Sequence, residues 1–117
     1  MSRTFGYFLT ISIKDLIASI MVNDDKTEIT KGELYDLYLD TMAEMKKRGV
    51  KGRVAYSRDD LMEFKYENEK QFDVGISYIR LRDGYSVDWL QQHIIPYMSV
   101  DTMQLLGLIP YDNEFSI

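Results

Sequence analysis

A hydroxyl residue followed three positions later by an acid occurs at Ser12/Asp15, Thr30/Glu33 and Ser57/Asp60. In such a pair the hydroxyl accepts from a free backbone N–H of the first helical turn, while the carboxylate can reach back to the N-cap N–H. The pattern therefore marks where helices begin, and with that much of the chain's architecture. Ser86 and Ser99 open two further runs, "SVDWLQQHII" and "SVDTMQLLG". Stop signals follow: Lys46, Lys47 and Arg48 then Gly49, Asp83 then Gly84, Pro96, and Gly107 before Pro110. Cations suit the negative end of a helix dipole, and glycine accepts the left-handed cap. These signals predict a mainly α fold, a compact bundle of four or five capped helices in a single domain, 1–117.

The apolar stretch from Phe5 to Val22 is expected to be a core helix, with Leu9, Ile13, Leu16, Ile17, Ile20 and Met21 on helical spacing. A bilayer span is not expected, because Lys14 and Asp15 stand in its middle. In the second helix, Leu34, Leu37, Tyr38, Met42 and Met45 line one face, and Tyr35 and Leu39 widen it. The third segment, from Ser57 to Gly84, reads two ways. Leu61, Phe64, Phe72, Ile76 and Ile79 suit one long helix, whereas Phe72/Val74/Ile76/Tyr78 alternate as a strand does. Its Glu/Lys/Gln-rich middle favours helix, with one β-hairpin within residues 62–81 as the alternative.

The chain has no cysteine, which excludes disulfides, thiolate catalysis and Cys-based metal sites. All 14 Lys and Arg precede Asp83, where acids balance them, so the net charge of −5 belongs to residues 83–117. Within the balanced part lies a basic run without an acid: Lys46, Lys47, Arg48, Lys51, Arg53 and Arg58. Three of these suit the cap of the second helix, and the run is also a candidate contact for an anion, a nucleic acid or an acidic partner.

The stretch "NDDKTEITKGEL" has the cadence of a calcium loop. With Ile29 at loop position 8 and Glu33 at 12, however, Val22 takes the first ligand position, Lys26 the fifth, and Thr27 the glycine position. Calcium is not expected, and the stretch is read as a helix–loop–helix joint. The acidic pairs Asp24–Asp25 and Asp59–Asp60 are both read as helix starts, where negative charge is favourable.

From Tyr85 to Pro110, the order Tyr-Ser-Val-x-x-Leu, Ser-Val-x-Thr-Met and Gly-Leu-Ile-Pro resembles the DNA-reading unit of MerR-type regulators and excisionases. The resemblance implies a first helix, a turn and a recognition helix before a wing. The chain departs from it in three ways: Pro96 lengthens the gap, the interval from Thr102 to Gly107 is about a turn short, and no Lys or Arg follows Arg82. Phosphate neutralisation, on which DNA affinity rests, is missing there. His93, the sole histidine, has Trp89 one turn before it and no nucleophile in view, so it is read as packed against the indole.

No catalytic, metal or cofactor motif is found. The sequence is therefore expected to encode a small cytoplasmic, non-catalytic interaction or regulatory module. Its partner would be another protein or itself, as a homo-oligomer, through Leu34, Tyr35, Tyr38, Leu39, Met42 and Met45. The alternative is a degenerate helix-turn-helix-like regulator that binds nucleic acid through residues 46–58.

Overall fold

The structure, a computed structural model, describes residues 7–111. It is mixed α/β, with five α-helices and five short strands among the described residues. The strands are β1 (Leu9–Ile11), β2 (Glu28–Thr30), β3 (Gly52–Val54), β4 (Phe72–Val74) and β5 (Tyr78–Leu81). The helices are α1 (Ile13–Asp24), α2 (Lys31–Arg48), α3 (Arg58–Glu67), α4 (Val87–His93) and α5 (Val100–Leu105), with a 3-10 turn at Ile95–Tyr97. Five helices agree with the expected four or five, but the two small sheets make the fold mixed α/β where a mainly α bundle with at most one β-hairpin is expected from sequence.

Each predicted hydroxyl N-cap forms, whereas Gly84, read as a helix stop, follows strand β5. Ser12, Thr30 and Ser57 accept from the backbone N–H three residues on, and Asp15, Glu33 and Asp60 close the reciprocal bonds. Ser86 and Ser99 cap α4 and α5 through their hydroxyls. Gly49 ends α2 in the left-handed region, at φ 72°. The pair Asp24–Asp25 was read at the wrong end. Asp24 closes α1 and Asp25 is its left-handed cap, at φ 51°.

The first apolar stretch also divides. The Ser12 cap sets the start of α1 at Ile13, so Leu9 belongs to a strand in which Leu9 and Ile11 point inward and Thr10 outward. Phe5 and Gly6, and the tail residues Phe115 and Ile117, lie outside the described residues. Within the third segment, both readings hold over different parts. Helix α3 stops at Asn68, whose side chain bonds back to the Phe64 carbonyl at 3.0 Å, and β4 and β5 then form the hairpin.

Two small sheets organise the strands. β1 and β3 pair in parallel, Leu9 opposite Gly52 and Ile11 opposite Val54. The antiparallel sheet has the order β2–β5–β4. Helix α1 runs through the centre of the core, with Ile13 and every residue from Leu16 to Met21 buried. Helix α2 packs on it from one side and buries only Leu34, Thr41 and Met45. No described helix is long and apolar enough to cross a membrane.

Candidate functional site

An open groove of about 730 Å³ lies between α2 and the stretch Val50–Ser57. Tyr38, Met42, Met45 and Lys46 form its helical wall. Val50, Lys51, Gly52, Arg53 and Val54, with Tyr56 and Ser57, form the opposite wall, and Phe8 closes one end. Its position follows from the local sequence. The left-handed Gly49 turns the chain back along α2, and the Val50 N–H donates to the Met45 carbonyl at 2.8 Å. The returning strand thus lies beside the helix it has just left.

The groove combines apolar and aromatic side chains with cations, and no carboxylate is among the described residues that line it. Tyr56 stacks on Tyr38 with ring centroids 5.2 Å apart, and Tyr35 sits 5.5 Å from Tyr56. The Tyr56 hydroxyl donates to the Lys31 carbonyl at 3.4 Å. Partial burial raises its pKa above the usual phenol value, so it stays neutral at physiological pH. Arg53 reaches to Asp60 at 2.7 Å, whereas Lys46 and Lys51 make no ion pair among the described residues. Phe8 is 66 % exposed, a large apolar surface offered to solvent at the mouth.

The two residue sets proposed from sequence meet here in part. From the apolar set, Tyr38, Met42 and Met45 line the groove, and from the basic set Lys46, Lys51 and Arg53 do. The remainder go elsewhere. Leu34 is fully buried, which removes it from any contact surface. Tyr35 and Leu39 are exposed on the flank of α2. Lys47 is exposed beyond the groove. Arg48 pairs with Glu44, and its guanidinium lies 3.3 Å from the centre of the Tyr111 ring. Arg58 borders a smaller hollow with Lys31 and Lys65, beside Met62 and the 96 %-exposed Ile76 of the hairpin tip.

Sequence reasoning missed Phe8 and Gly52. Phe8 falls inside the stretch expected to be one core helix, and Gly52 lies within the basic run without a signal of its own. A Cβ at Gly52 would collide with the Leu9 carbonyl oxygen and stand 2.6 Å from the Met45 methyl. The β1–β3 pairing thus requires glycine here, and the pairing is what no local pattern announces.

The other motifs are occupied by structure. Glu33, the would-be bidentate calcium ligand, accepts from the Thr30 N–H at 2.8 Å and pairs with Lys26. His93 stacks on Trp89 with centroids 5.0 Å apart and 16° between planes, and its Nδ1 lies 3.1 Å from the Trp89 carbonyl. In the region resembling a DNA-reading unit, α5 has six residues, with Thr102 and Gln104 buried, and Asp101 accepts from the Tyr7 hydroxyl. No group of three or more His, Cys, Asp or Glu side chains converges as a metal site among the described residues. No family model, curated protein or solved structure matches this chain.

Proposed function

We propose that the protein is a small cytoplasmic interaction module without catalytic activity, and that the groove between α2 and β3 is its binding surface for an acidic protein partner. The observation that carries this reading is the meeting, in one open groove, of Lys46, Lys51 and Arg53 with the apolar surface of Phe8, Tyr38 and Met42, with no acid among the lining residues. Such a combination supplies both ingredients of specific association. Apolar and aromatic area gives affinity, and a rim of one sign selects partners and steers them. Exposed Tyr35, Leu39 and Met42 extend the apolar surface along α2, and self-association through that flank belongs to the same reading.

A second reading has its own observation. The basic run by itself contains one aromatic residue, but the fold adds Phe8 and Tyr38 beside it. Rings next to cations are what a single-stranded nucleic acid uses, with bases stacking while lysines meet phosphates. This reading predicts binding that weakens steeply with salt.

One experiment separates them. Tagged wild-type protein and the Lys46→Glu/Lys51→Glu variant are used to capture partners from the native host's lysate, with and without nuclease. The expected result is a protein that survives nuclease and is retained at least tenfold less by the variant. Equal retention by the variant removes the groove from function. Loss of every partner on nuclease treatment transfers the groove to the nucleic-acid reading.

A further inference from the structure

We propose that the groove takes up an extended acidic peptide as an added strand on the outer edge of β3, main chain bonded to main chain. This deepens the reading above and rests on it.

Among the described residues, β3 pairs with β1 and with no other strand. The Leu9 N–H donates to the Lys51 carbonyl and the Ala55 N–H to the Ile11 carbonyl, each at 2.9 Å. Because successive main-chain groups of a strand point to opposite edges, residues 51, 53 and 55 serve β1, and Gly52 and Val54 turn theirs the other way. Among the described residues, no loop or side chain bonds to the main chain of Gly52 or Val54. Every residue from Val50 to Val54 lines the groove, so β3 is part of its wall, with Gly52 exposed and Val54 buried. An added strand would lie about 4.8 Å from β3 and span about 17 Å over five residues.

The chemistry of the edge selects the occupant. An open strand edge invites pairing with any other edge unless charge prevents it. Here Lys51 and Arg53 flank the edge, and Lys46 stands on the facing helix. A second copy of β3 would bring the same cations into register and be repelled, whereas an acidic strand would be attracted. The second requirement is a place for the alternate side chains of the added strand, since strand addition draws specificity from pockets on one face. Tyr38 and Met42 supply an apolar wall at that position. The occupant is thus a peptide alternating acidic with apolar residues, about five residues long at the edge.

The test uses a random twelve-residue displayed peptide library panned against the full-length protein. Expected is enrichment of sequences alternating Asp or Glu with aliphatic or aromatic residues. The most enriched peptide is then synthesised with each backbone amide N-methylated in turn, and affinity is measured by fluorescence anisotropy against wild type and the Lys46→Glu/Lys51→Glu variant. Strand addition predicts a period of two, with methylation at alternate residues weakening binding at least tenfold and methylation between them having little effect. Methylation without that alternation, combined with loss of binding to the charge-reversed variant, overturns strand addition and leaves the groove reading standing. No enrichment, enrichment without acids, or equal binding to both proteins overturns both.

Discussion

Thr41 is a polar residue standing where helical spacing demands a core residue. From Leu34, the inward stripe of α2 runs through Leu37, Tyr38 and Thr41 to Met45, and Thr41 is 1 % exposed. Its hydroxyl donates to the Leu37 carbonyl one turn back, at 2.7 Å, so burial leaves no donor unpaired. A reading by hydrophobic residue type passes over it and selects Met42, which is 39 % exposed and faces the groove. The capping carboxylates behave as local chemistry dictates. Lys26 and then the Thr30 N–H hold the Glu33 carboxyl below its ordinary value of 4.5, and the Ser57 N–H and hydroxyl, then Arg53, hold Asp60 below 3.8. For a depressed carboxylate the stabilisation is fully present above the ordinary value and disappears as pH falls through the lower folded one. Asp15 runs the other way, because burial raises its pKa. Thermal melts between pH 3 and 7 are therefore expected to show Tm falling below about pH 4.5 in wild type, and falling less steeply in Glu33→Gln/Asp60→Asn, where the two titrating caps are gone. Parallel curves for the two proteins would remove these caps from the acid response.

At the scale of the element, α2 has one face in the core and a second on the groove, and the two are told apart by which substitutions they tolerate. Leu34→Ala is expected to cost about 3 kcal/mol, because a fully buried leucine leaves a cavity when truncated. Leu39→Ala, at a position 41 % exposed, is expected to change stability by no more than about 0.5 kcal/mol. Urea denaturation of both variants measures the difference, and equal costs would contradict the assignment of faces. The helices were legible because their signals are local. Ser12, Thr30 and Ser57 satisfy backbone donors within three residues, so the boundary is written where it falls. The hairpin was half legible, through the alternation of Phe72, Val74 and Tyr78, but Ile76 sits in its turn and is fully solvated. Strands β1 and β3 were not legible. Each has three residues, and their pairing joins Leu9–Ile11 to Gly52–Val54 across three intervening elements, α1, β2 and α2.

Across the whole molecule, the central position falls to α1 and not to the longer α2. It packs against α2, α3, α4 and β2, and its buried Ser19 is satisfied by the Leu16 carbonyl at 2.9 Å. The Asn23 side chain at its end donates to the Leu106 carbonyl at 3.0 Å, joining α1 to the end of α5. Amides from Leu16 to Met21 are accordingly expected to be among the slowest to exchange with deuterium, opening only with global unfolding, while those of the six-residue α5 exchange through local opening. Equal protection in α1 and α5 would show instead that the chain opens as one unit. Charge is partitioned at this scale too. The basic run contacts the C-terminal third through Arg48 and Tyr111, while Lys46, Lys51 and Arg53 turn to the groove. By itself the sequence determined the places where helices start and stop, the absence of cysteine chemistry, and the two residue sets from which the groove is drawn. All of these rest on neighbours in the chain or on composition. The tertiary structure alone decided which half of each set reaches the groove, and that a bare strand edge lies beside them. That outcome depends on a parallel pairing between distant segments, and on the crossover that places β3 against α2.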